Sequence, residues 1–181
     1  LAAASLAVSL SAAAFAAGAP GAAAEKRAAV TDAEIIGAVT TGNQGEIDAA
    51  ALAASRTKNA GVKAFAARML KDHGRAKEEL AAVEKKSGIK GAKSGLREAL
   101  KKDGAELEAK LTPLSGDAFD RAYMDAEVAD HAALLKKLDS ELIPDAKNRS
   151  LGAFLRRFRT VVAHHLALAR KAQAEVERTE K

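Results

Sequence analysis

The sequence predicts an all-α protein, an antiparallel four-helix bundle with a short extra helix in the long crossover between helices two and three. Three observations predict it. Ala, Leu, Lys, Glu and Arg dominate the 181 residues, whereas aromatic residues make up 3% and Pro occurs three times, a composition suited to long helices. Apolar residues recur at alternating spacings of three and four, the period of a helix with one buried face. The breaks between periodic stretches are a few residues long except one, which takes roughly 30 residues and carries a periodic stretch of its own.

In chain order, residues 1–24 are almost wholly Ala, Leu, Val, Ser and Gly, and no charge occurs before Glu25. This reads as the apolar part of an export signal and a small-residue linker, with Ala14-Phe15-Ala16 or Ala22-Ala23-Ala24 as the cleavage site. With no initiating Met or basic leader, the signal is expected to be incomplete at its N-terminus. Its apolar run is shorter than the ~20 residues of a spanning helix, so residues 25–181 are expected as one periplasmic or secreted domain, not an integral membrane protein.

Thr31-Asp32-Ala33-Glu34 is a capping box that opens a first helix ending near Arg56. A second helix runs from about Ala60 to Lys86 and stops at Ser87-Gly88. Residues 89–94 form a loop, and a short charged helix spans about Gly95 to Leu111 before Pro113. Ser115-Gly116-Asp117 caps the next helix, which extends to about Leu142, and Ile143-Pro144-Asp145 makes a turn. The last helix starts near Ala146 or Ser150 and reaches the C-terminus. Short loops make antiparallel neighbours, and one long crossover between two helical hairpins is the ferritin-like way to connect a bundle. Simple up-down connectivity with the short helix outside is the alternative.

The helical faces say where the polar residues point. In the second helix Val62, Phe65, Ala66, Met69, Ala76, Leu80 and Val83 form a stripe that contains His73. In the last helix Leu151, Phe154, Leu155, Phe158, Val162, Ala169, Ala172 and Val176 form one that contains His165, with His164 to the side. The third long helix buries Phe119, Tyr123, Leu134, Leu135, Leu138 and Leu142, with Glu127 and His131 on the same arc. Ile35, Val39, Ala50 and Ala53 mark the inner face of the first helix, and Glu46 lies on it.

Glu46, His73, His131 and His165 each sit near the middle of a helix, and midpoints of antiparallel helices share one level. A buried carboxylate and a buried imidazole both need partners, and one divalent ion satisfies them together. The expected ligands are therefore Glu46, His73, His131 and His165, with Glu127 in reserve, around a single Zn, Fe or Mn ion. Asp72, Tyr123 and Asp130 are the candidates for orienting the His rings. Asp72-His73 and Leu80 recur in spacing as Asp130-His131 and Leu138, a match between non-equivalent helices that is read as coincidence.

The net charge of +5 is concentrated after residue 145, where nine Lys or Arg face three Glu. Arg149, Arg156, Arg157 and Arg159 are its densest part and would suit an anionic envelope surface. Phe154 and Phe158 fall within this stretch but belong to the apolar stripe rather than to the basic face, so nucleic acid is not expected as a partner. The absence of Cys excludes disulfides, thiolate ligands, a Cys nucleophile and a lipidated Cys.

Gly45-Glu46-Ile47-Asp48, the run from Val62 through Arg68-Met69-Leu70-Lys71-Asp72-His73, Phe119-Asp120-Arg121-Ala122-Tyr123 with Asp130-His131, and His165-Leu166 together resemble the bacterial domain-of-unknown-function family 4142. The resemblance spans about residues 32–175. It implies an exported, ferritin-like helical protein of a kind often labelled an outer-membrane protein, with no assigned activity. One departure stands out. Di-iron bundles use a Glu from each of two helices and Glu-x-x-His from the other two. Here Glu127 and His131 are four apart and no Glu precedes His73 at that spacing, so one ion is expected rather than two.

No Ser–His–Asp arrangement or Gly-rich phosphate loop is present, so redox chemistry at a bound metal is the only route to an enzyme, and a binding protein is favoured. The alternative is a non-catalytic envelope or stress-related protein that acts through its surface, its inward His and Glu being structural.

Overall fold

The computed structural model describes residues 28–179, and the expected signal and cleavage sites lie outside them. The described residues are helical, with no strand among them. The helices are α1 (Asp32–Arg56), α2 (Ala60–Ser87), α3 (Gly95–Leu111), α4 (Gly116–Lys137) and α5 (Arg149–Thr179).

Local chemistry sets the ends. Thr31 and Glu34 form the expected reciprocal capping box on α1. The Asn59 side chain accepts from the Gly61 and Val62 amides to start α2, and Gly88, with φ of 73°, ends it in the left-handed conformation. Ser94 caps α3 through the Arg97 amide. Ser115 occupies the cap position of α4 but makes no side-chain cap bond. Asn148 opens α5 by accepting from the Ser150 and Leu151 amides.

Two boundaries differ from the sequence reading. Helix α4 stops at Lys137 and continues as a π-helical turn, Leu138–Leu142, where an uninterrupted α-helix was expected. Ile143–Asp145, expected as a turn, is a further helical turn. Pro144 explains both: it lacks an N–H and its ring crowds the carbonyl four residues earlier, so the wider turn absorbs the misfit.

Contacts between helices define the arrangement. α1 packs on α2 and α3, α4 packs on α5, and α2 packs on α5. The start of α5 lies beside the start of α1, where Asp32 accepts from the Lys147 and Asn148 amides. The Ala92 amide donates to the Ala33 carbonyl, and Arg56 donates to the Thr112 carbonyl at 2.5 Å, so α3 lies along α1 with its start near the start of α1. Gly37 permits the first of these approaches, because a Cβ there would lie 2.1 Å from the Ala92 carbonyl oxygen. Gly37→Ala is accordingly expected to cost about 1–3 kcal/mol through overpacking. Chemical denaturation checks it; wild-type stability in the variant would show that the loop yields freely.

The core is divided. One apolar cluster gathers Ile35, Val39, Leu80, Leu138, Leu151 and Phe154. The other gathers Ala53, Val62, Met69, Phe119, Tyr123 and Val176. On each of the four long helices the residues between these clusters are polar: Asn43 and Glu46, His73, Glu127 and His131, and His165. A polar layer therefore crosses the core midway between two apolar ones.

Candidate metal centre

Helix period delivers these side chains inward. His73 is on the α2 stripe, His165 on the α5 stripe, and Glu127 and His131 are one turn apart on α4. His73, His131, His165 and Glu127 are buried to 2% exposure or less, while Glu46 is partly exposed. His164 is exposed, as its position beside the stripe implied.

The five expected ligands do not gather at one point. They form two groups of three that share His131: His73, His131 and His165, and Glu46, Glu127 and His131. Within each group one donor atom per residue lies within 4.8 Å of the others. The three imidazole rings are mutual neighbours, with centroids 5.2–5.8 Å apart.

Hydrogen bonds fix which nitrogen of each ring carries the proton. The Asn43 amide group donates to the Val39 carbonyl, which leaves its oxygen facing His73 Nδ1 at 2.7 Å. That oxygen can only accept, so His73 Nδ1 donates. His131 Nδ1 donates to the backbone carbonyl of Glu127 at 2.9 Å, and His165 Nε2 donates to the Asp72 carboxylate at 3.0 Å. The opposite nitrogens, His73 Nε2, His131 Nε2 and His165 Nδ1, are buried without a hydrogen-bond partner. In neutral rings these are bare lone pairs.

Electrostatics keeps the rings neutral. Burial pushes His73 down to about 3, and repulsion from His165 and His131, were they protonated, acts in the same direction. Burial takes His165 to about 4 against the pull of Asp72, and lowers His131 against its bond to the Glu127 carbonyl. The carboxyls shift the other way. Burial raises Glu46 to about 7, and burial with the charge of Glu46 raises Glu127 well above the usual range.

The expected orienting residues separate. Asp72 bonds His165, on another helix, and is itself 3.7 Å from Arg68. Asp130 has an exposed side chain that makes no hydrogen bond to an imidazole, although it lies within electrostatic reach of His131 and Glu46. Tyr123 is fully buried but sits against Glu127 rather than an imidazole, and its hydroxyl interacts with that carboxyl without a well-aligned hydrogen bond. Asn43, which the sequence reading missed, was detectable as a polar residue three positions before Glu46 on the same face. The Glu127 carbonyl carries no sequence signal at all. Of the basic residues, Arg149 and Arg156 are exposed, Arg157 meets Glu79 at 3.5 Å, and Arg159 makes two bonds to Asp139 at 2.6 and 2.8 Å.

Together these features define an all-helical protein with a buried His–Glu group of a spacing that could hold a metal ion. Residues 17–172 match the family model described as Domain of unknown function (DUF4142), and the chain belongs to that family. No curated protein and no solved structure matches it. No helix among the described residues is long and apolar enough to cross a membrane.

Proposed function

We propose that this protein is an exported metal-binding bundle that holds one divalent ion through His73, His131 and His165. The four long helices are read as an antiparallel four-helix bundle of ferritin-like connectivity. The placement of α3 along α1, between the end of α2 and the start of α4, supports the crossover.

One observation carries the reading. Among the described residues six buried side-chain polar atoms lack a partner, and all but Asp120 Oδ1 belong to His73, His131, His165, Glu127 and Tyr123. Each such atom costs about 1–3 kcal/mol. Five together approach the whole stability of an ordinary domain, roughly 5–15 kcal/mol. A cation in the layer removes most of that cost. Every imidazole already has its other nitrogen tied to an oxygen, the arrangement that orients metal-binding His. A tetrahedral ion with bonds of about 2.0–2.1 Å needs its nitrogens about 3.4 Å apart, and one ring nitrogen of each His already lies within 4.8 Å of the others. Three neutral imidazoles suit Zn, and Fe or Mn is compatible.

The test is elemental analysis of protein purified without a metal-binding tag, beside a His73→Ala/His165→Ala variant. Near-stoichiometric metal in the first and little in the second is expected. A folded wild-type protein that takes up no metal after supplementation would sink the proposal. Export, to the periplasm or beyond, is proposed from the apolar residues 1–24.

A further inference from the structure

We propose that Glu46 and Glu127, assisted by Tyr123, form a second cation station beside the imidazole triad, reached from solvent past Asp130. The station is built of oxygen donors and selects a harder divalent ion than the triad does.

Glu46, Glu127 and His131 are the second group of metal-ligand spacing, and the two carboxylates come from facing helices, α1 and α4. Acidic proximity alone would not define a site. Here a buried side chain outside the carboxylate pair is aimed at it: the Tyr123 hydroxyl interacts with Glu127 but makes no well-aligned hydrogen bond, and Glu127 Oε2 likewise has none. Both residues are at least 98% buried, and the Tyr123 hydroxyl lies close enough to both carboxyls to feel their charge. A cation would bring two carboxylates together without repulsion and give these oxygens a partner.

Donor chemistry separates the stations. His131 spends its Nδ1–H on the Glu127 carbonyl, and Glu127 Oε2 lies 3.3 Å from that same nitrogen. The carboxylate side of the ring thus offers a hydrogen rather than a lone pair, and the protein ligands left there are oxygens. Two or three protein oxygens with water completing the shell fit an octahedral ion such as Mn2+, whereas Ca2+ asks for six to eight oxygens. The triad offers three nitrogens and suits Zn2+.

The route follows from exposure. The triad is sealed, Glu127 is sealed, Glu46 is partly exposed and Asp130 is exposed. Asp130 lies within electrostatic reach of Glu46 and His131 on the inside, and of Asp103 and Lys110 on α3. An incoming cation therefore meets Asp103 and Asp130, with Lys110 as the opposing charge, before Glu46. Asp130, left without a role toward the imidazoles, acquires one here.

The experiment titrates Mn2+ into the purified full chain, with and without Zn2+, and reads free Mn2+ by electron paramagnetic resonance. One Mn2+ per chain is expected. Glu46→Gln should weaken it at least tenfold, and His73→Ala/His165→Ala should leave it within twofold of wild type. Circular dichroism verifies that each variant is folded. Absence of Mn2+ binding in wild type, or undiminished binding in Glu46→Gln, overturns the station. Loss of Mn2+ in the double His variant places it in the triad and overturns the station too. Zn2+ failing to bind while Mn2+ persists in the double variant removes the triad reading alone. An Asp130→Asn variant should load Mn2+ several-fold more slowly at low salt; an unchanged rate overturns the entry route.

Discussion

Zinc at a thousand times its dissociation constant is expected to raise the melting temperature of the metal-free protein by roughly 8–16 °C. The magnitude follows from linkage. An ion that binds only the folded state at that excess contributes about 4 kcal/mol, and each kcal/mol moves the midpoint of a domain this size by about 2–4 °C. In the unfolded chain His73 and His131 are far from each other and from His164-His165, so the triad is not assembled there and the unfolded state competes weakly. His73→Ala/His165→Ala should show no zinc-dependent shift, because one imidazole cannot replace three. Differential scanning calorimetry with and without metal reads both. A wild-type midpoint that ignores zinc would mean that the bare nitrogens of the layer are tolerated without an ion.

The second large effect concerns pH in the metal-free state, where the two kinds of buried group pull in opposite directions. His73 and His165 have folded pKa values of about 3 and 4, below the ordinary 6.5, so below pH 6.5 the unfolded chain binds more protons. Their contribution to stability falls as pH drops from 6.5 toward 3, at on the order of 1 kcal/mol per pH unit for each ring. Glu46, raised to about 7 by burial, stays protonated in the fold where the unfolded chain has lost its proton. Its contribution falls as pH rises from about 4.5 to 7, and the raised Glu127 acts in the same direction. Stability should therefore form a dome, with its top between pH 4.5 and 6.5 where the two slopes offset each other. Melting temperatures from pH 3 to 8 test this. The acid limb should flatten in the double His variant and the alkaline limb in Glu46→Gln. A profile that rises steadily through pH 8 would contradict the raised carboxyls.

Helix α2 shows how much of the fold can be read locally. Its predicted stripe, Val62, Phe65, Ala66, Met69, His73, Ala76, Leu80 and Val83, is residue for residue its buried set. Helical period is a property of neighbouring residues, so the sequence carries it. The same holds for the cap at Thr31 and for the stop at Gly88. The π-helical turn before Pro144 was less accessible, because proline signals a misfit without saying which wider turn will absorb it.

The site was legible only in its membership. Spacing on each helix sufficed to place Glu46, Glu127, His73, His131 and His165 in one layer, since rise per residue and face are local quantities. What these residues do to one another was decided between helices. Asp72-His73 and Asp130-His131 are the same dipeptide, yet Asp72 holds His165 of α5 whereas Asp130 is exposed within reach of α3. Asn43, Asp72 and a backbone carbonyl determine which nitrogen of each imidazole is left bare. The division into a nitrogen group and an oxygen group follows from how α1 and α4 face each other. By itself the sequence determined most helix spans, most inner faces and the level of the polar layer, although Leu134 and Leu135, expected inside, are only partly buried and Met124 is buried instead. Only the tertiary structure decided the tautomers and the grouping, because a hydrogen bond depends on distance and angle between chains of atoms that local periodicity never relates.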